Sequence, residues 1–97
     1  MNEVLQSIAE ERARQDAKWG EQNHDPIVWI GILGEEFGEL SQAVLETHFD
    51  NGPTERLKGG YENMRAEAVQ VAAVAVAMIE ALDRQHALDT LRQATGY

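Results

Sequence analysis

The chain reads as an all-α helical bundle, for three reasons. Outside its turns no segment carries the period-two alternation of a half-buried strand. Asp25-Pro26 is a helix start, an N-cap acid followed by proline at the first helical position. The stretch 68–79 is valine-rich enough to suggest a buried strand, but its length and its alanine content favour helix.

In chain order, a first helix is expected over 2–18, with Val4, Leu5, Ile8 and Ala9 on its apolar face and Glu10, Glu11, Arg12 and Arg14 on its wet one. Residues 19–24 break it. The second helix is expected over 26–48, with 49–53 as the next turn. Residues 54–57 can form a helical turn of their own before Lys58-Gly59-Gly60 interrupts. The main helix follows over 61–86, and a short last one over 87–94 precedes Gly96. A helix apolar all round must be buried all round. Short helices of one chain cannot easily surround 68–79, so the core is expected to be completed by oligomerisation.

At 97 residues the chain is expected to form one domain over 1–97. Hydrophobic residues make up 43% and charged ones 26%, the composition of an ordered globular protein. There is no cysteine, which suits a reducing cytoplasm and removes thiol chemistry. The start Met1-Asn-Glu-Val-Leu has no basic segment followed by an apolar run, so no signal peptide is expected. The longest apolar run, 71–79, falls well short of the roughly 20 residues that span a bilayer. A net charge of −9 opposes binding to a nucleic acid polymer or an anionic membrane. It leaves room for a small anionic ligand received through a cation.

The chemistry points to Glu35, Glu36 and Glu39, within Leu33-Gly-Glu-Glu-Phe-Gly-Glu-Leu40, and to Glu67 at the start of the apolar stretch. At about 100° per residue, Glu39 lies about 40° and Glu36 about 100° from Glu35, so the three project within one arc. Two like charges about 4 Å apart cost on the order of 4 kcal/mol at an effective dielectric near 20. A Glu-rich string taken alone is a solvated face; here the flanking residues, from Trp29 and Ile32 to Leu40 and Val44, belong to a largely buried helix. Hard oxygen ligands favour Mg²⁺, Mn²⁺ or Ca²⁺ over zinc, which prefers Cys and His. Gly31, Gly34 and Gly38 each cost about 1 kcal/mol in a helix, and a crowded site would account for them.

With the acids placed, Glu35-Glu36-x-x-Glu39, 27 residues and then Glu67 resembles the MazG-like all-α nucleoside triphosphate pyrophosphohydrolases. Arg14-Gln-Asp-Ala-Lys-Trp-Gly20 looks like the lead-in of their small single-domain members. The resemblance implies a dimer or tetramer of helical chains that splits a nucleoside triphosphate into monophosphate and pyrophosphate with Mg²⁺, in house-cleaning of unwanted nucleotides. It implies Glu35, Glu36, Glu39 and Glu67 as metal ligands, with Glu36 or Glu39 also acting as base. The family's second motif is Glu-x-x-Asp, and here it reads Glu67-Ala-Val-Gln70. A Gln carbonyl can ligate a hard cation without charge, or hydrogen-bond an acid that does.

Phosphate contacts are expected from Lys18, Arg56, Lys58 or Arg65, and base recognition from Trp19, Asn23 and His24 between the first two helices. Trp19 can equally be a core aromatic, and Trp29 reads as one. A di-iron carboxylate bundle needs two Glu-x-x-His motifs. Only Glu21-x-x-His24 matches, in a loop. The other alternative is a non-catalytic oligomeric interaction module with a degenerate metal site.

Overall fold

The structure, a computed structural model, describes residues 1–50 and 60–96. These form three helices: α1 (Asn2–Trp19), α2 (Pro26–Leu45), continued by a π-helical turn (Glu46–Asp50), and α3 (Tyr61–Thr95). No strand occurs among the described residues, so the all-α class holds. The expected turn at 51–53, the helical turn at 54–57 and the Lys58-Gly59 interruption lie outside the described residues.

Asp25 caps α2 by accepting the Ile27 N–H on its side chain at 3.0 Å, with Pro26 at the first helical position. α1 ends at Gly20, whose φ of 73° is left-handed and whose N–H reaches the Asp16 carbonyl at 2.8 Å. α2 leaves α geometry earlier than expected, at Leu45 rather than at His48. There the Thr47 hydroxyl donates to the Ala43 carbonyl at 2.7 Å and is buried against Gly60, where a Cβ would collide with it.

α3 is one continuous helix, correcting the expected break near residue 86. Nothing between His86 and Thr95 is Gly or Pro, so no residue there stops propagation. It ends on Gly96, left-handed at φ 81°. No helix among the described residues is long and apolar enough to cross a membrane.

Trp29 of α2 packs on Val74, Ala77 and Ala81 of α3, while Thr47 meets Gly60, so α2 and α3 run antiparallel. α1 runs parallel to α3: Arg65 bonds Ser7, and Arg12 bonds Glu80. Among the described residues the buried core is small, with Trp29 1% exposed beside Val74 and alanines, and Ile32, Leu33 and Met78 partly buried against it. Val71, Ala72, Ala75 and Val76 are half-buried and Ile79 is exposed, so one chain does not enclose the apolar stretch.

α1 turns inward a face that shares only Ile8 with the expected one. Val4 and Leu5 are 47% and 55% exposed, whereas Ser7, Ile8, Glu11, Arg12 and Gln15 are half-buried. The reason is ion pairing: Arg12 donates to Glu80 Oε1 at 2.7 Å and 3.0 Å and to Asp16 at 3.0 Å, which ties α1 to α3.

Candidate metal centre

Seven-residue spacing builds the site. On α2, Trp29, Glu36 and Ala43 are spaced by seven, two helical turns apart, so Glu36 stands in the seam between two buried residues. On α3, Glu67, Val74 and Ala81 share the same spacing, and the last two are buried. The antiparallel packing brings these two seam acids together, with Glu39 at the edge. Ligand oxygens of Glu36, Glu39 and Glu67 all lie within 4.8 Å of one another. Glu36 Oε2 and Glu67 Oε2 are buried and have no hydrogen-bond partner.

That arrangement is electrostatically unfavourable as it stands. The Glu36 carboxyl is held above its ordinary range, first by burial and then by the charges of Glu39 and Glu67, a hydrogen bond with Glu39 and the charge of Glu11. Two carboxylates share a hydrogen bond only while one carries a proton. A divalent cation fits the same space: three oxygen donors converge on it, and two of them have a buried oxygen with nothing else to bind. A cation there replaces repulsion with attraction.

Glu35 does not join this group and is exposed. One residue back from Glu36 turns it about 100° out of the seam. Gln70 is half-buried one turn beyond Glu67, seven residues before the buried Ala77, and so on the α2-facing side of α3. The glycines are not explained by crowding. Gly31, Gly34 and Gly38 lie on the outer face of α2, and a Cβ on any of them meets nothing within 4 Å.

Of the other expected site residues, Trp19 is 61% exposed and lines a cavity of about 260 Å³ with Gln15, Gln22, Trp29, Ile32 and Glu36. Trp19 is the last residue of α1 rather than part of the expected break, and the cavity connects it to Glu36 of the acid site. The Lys18 ammonium lies over the Trp19 ring, 4.8 Å from its centre. Asn23 is committed elsewhere: Arg84 donates to its Oδ1 at 2.8 Å and its amide donates to Glu21 at 3.1 Å. Arg65 donates to Ser7 Oγ at 3.0 Å. Lys58 and Arg56 lie outside the described residues.

Three residues near the site were not legible as such. Gln15 and Gln22 line the cavity beside Glu36, and Glu11 sends its charge into the site from α1. The signal was present in the four-residue spacing of Ser7, Glu11 and Gln15, but Val4 and Leu5 suggested another face. Comparison of the chain with protein-family models, with curated proteins and with solved structures finds no match.

Proposed function

We propose that this protein is a Mg²⁺-dependent nucleoside triphosphate pyrophosphohydrolase, with Mn²⁺ able to substitute, converting an NTP or dNTP to NMP and pyrophosphate. The observation that carries the reading is the pair of buried, unpartnered carboxylate oxygens on Glu36 and Glu67, converging with Glu39. The resemblance of Glu35-Glu36-x-x-Glu39 and Glu67 to the MazG-like motif supplies the reaction.

In this reading Glu36, Glu39 and Glu67 hold the cation. A cation bound there supplies charge neutralisation at the triphosphate and acidifies a water. The chain's own groups do the rest. Glu36 or Glu39 takes the proton of the attacking water as the bond between the α- and β-phosphoryl groups breaks, and pyrophosphate leaves. The cavity between Trp19, Gln15 and Gln22 opens on Glu36 and offers an aromatic surface and amide edges to a base. Lys18, held over Trp19, and Arg65, two residues before Glu67 in sequence, are the described cations this reading assigns to the phosphates.

The same reading has the chain working as a homo-oligomer. Support comes from an apolar groove of about 430 Å³ between Ile30, Leu33, Gly34 and Phe37 of α2 and Val71, Ala72 and Ala75 of α3. Phe37 is 61% exposed there. A non-catalytic oligomeric module is the second reading, favoured by Gln70 where the motif has an acid.

Incubation with Mg²⁺ and a panel of ordinary and modified nucleoside triphosphates tests the proposal, with a Glu36→Gln control. Monophosphate plus pyrophosphate, absent in the control, is the expected result. No turnover of any triphosphate, even with Mn²⁺, would leave the non-catalytic module.

A further inference from the structure

Ser7, Glu11 and Gln15 stand at four-residue intervals and so form one row along α1. One end of the row is tied to α3 and the other reaches the acid site. Ser7 Oγ accepts from Arg65 of α3 at 3.0 Å. Gln15 lines the same cavity as Glu36. Glu11, one turn before Gln15, lies on the same face of α1 and so on the side toward Glu36. Its side chain is only 15% exposed, against 65% for its partner Arg14.

Arg14 reaches it from the solvent side. Both contacts, Nε at 2.9 Å and Nη2 at 2.8 Å, fall on the same oxygen, Oε1. The guanidinium thus orients the carboxylate while engaging one of its two oxygens. Burial on one side and a charged clamp on the other hold a negative group against a site that is already negative. The Glu11 charge is among the causes that hold the Glu36 carboxyl high, which agrees with the register. Glu11 is not part of the group within 4.8 Å that Glu36, Glu39 and Glu67 form.

We propose that Glu11 is a fourth acid of the cation site, contributed by α1, where it holds a cation-bound water and supplies the negative charge that Gln70 does not. This rests on the reading of Glu36, Glu39 and Glu67 as cation ligands. Glu11 is then a positioning residue, acting through that water rather than as a ligand. The site then draws on all three helices.

Equilibrium Mn²⁺ binding by the whole chain tests this, read by the electron-spin signal of free Mn²⁺, for the unaltered protein, Glu36→Gln, Glu11→Gln and Glu11→Asp. The unaltered protein binds, and Glu36→Gln loses binding. Glu11→Gln binds about ten-fold more weakly, with the Tm of the cation-free protein unchanged, and the charge kept in Glu11→Asp restores most of the affinity. Undiminished binding by Glu11→Gln, beside lost binding in Glu36→Gln, would overturn the role of Glu11 and leave the cation site standing. So would weakened binding matched by a fall in cation-free Tm, since that marks a structural role. No binding by the unaltered protein would overturn both.

Discussion

Glu36 of α2 and Glu67 of α3 occupy seam positions that core residues fill two turns along, Ala43 and Val74, and each keeps one buried carboxylate oxygen without a partner. Apolar side chains at these positions would enlarge a core that otherwise holds Trp29, Val74 and small alanines. Burying an unpaired polar group costs on the order of 1–3 kcal/mol, so the cation-free fold carries a penalty here. Stability is being forgone at the place where the three acids meet.

Replacing one acid should therefore stabilise the cation-free protein. Folded Glu36 has its carboxyl raised above the ordinary value of 4.5, by burial and by Glu39 and Glu67. Below the unfolded value both states are protonated and nothing is lost. As pH rises from there through the raised folded value, the unfolded chain releases the proton first, so stability falls and the penalty stays at higher pH. Glu36→Gln removes that fall. At neutral pH it should gain at least about 0.5 kcal/mol, the scale of one like-charge helix pair, or about 2–4 °C in Tm for a chain of this size. Thermal melts of both proteins from pH 4 upward, without cations, check the sign; a difference that shrinks with rising pH would contradict it.

Cation binding should be linked to the same proton. A carboxyl that carries a proton must release it to become a ligand, so Mn²⁺ affinity should rise with pH until Glu36 is ionised in the free protein and then level off. Calorimetric titration in two buffers of different ionisation enthalpy measures the release directly. Up to about one proton per cation is expected in the rising part of the curve, and none above it. Glu36→Gln, which lacks this ligand, should give no binding heat in either buffer.

The sequence made the helices and the acids legible for the same reason: both are periodic. Asp25-Pro26, the Glu35-Glu36-x-x-Glu39 run and Glu67 could be placed from spacing alone. The seven-residue rows Trp29-Glu36-Ala43 and Glu67-Val74-Ala81 were also present, and they separate Glu36 from Glu35. The face of α1 was not legible, because Arg12 is held inward by Glu80, 68 positions away, and no local pattern reports a distant partner. The continuation of α3 past His86 was hidden by the polar composition of its end, which resembles a terminus although it contains no helix breaker.

Arg12 and Arg92 should differ in what their loss costs. The Arg12 side chain is 15% exposed and donates to Glu80, Asp16 and Gln15. Its removal leaves the α1–α3 contact without its charged bond. Arg92 lies 3.9 Å from Asp89, with both side chains more than half exposed. Arg12→Ala should cost about 1.5–3 kcal/mol, the range for a hydrogen bond to a charged group, and Arg92→Ala less than about 0.5 kcal/mol. Urea unfolding measures both. Similar losses in the two variants would mean that Arg12 does not hold α1 in place.

Trp29 carries most of the large-side-chain burial in the described core and leaves its own indole N–H unpartnered. Trp29→Ala should cost about 3–5 kcal/mol, as for a large aromatic removed from a core. That is a large share of the roughly 5–15 kcal/mol by which a domain is stable. Trp29→Phe keeps a ring against Val74, Ala77 and Ala81 and the edge contact with His24, now 5.0 Å between centres, and discards the orphan N–H. It should cost less than about 1.5 kcal/mol. Comparison of the two denaturation midpoints checks the partition; a Phe variant as damaged as the Ala variant would show that the indole nitrogen has a stabilising role.

Gly34 provides the sharpest distinction between a lone chain and an oligomer. In one chain a Cβ at Gly34 meets nothing within 4 Å, so Gly34→Leu should raise stability by about 1 kcal/mol through helix propensity alone. If a second copy covers the groove between Ile30, Phe37, Val71 and Ala75, the same side chain stands where that copy must approach. Light scattering at micromolar concentration should then show the unaltered protein as an oligomer and Gly34→Leu as a smaller species. Phe37→Glu should do the same by placing a charge against an apolar surface, with helix content by circular dichroism retained. Monomeric unaltered protein, together with a Gly34→Leu variant that only gains stability, would mean that this face is open in solution and that the small core of Trp29, Val74, Ala77 and Ala81 holds the chain unaided.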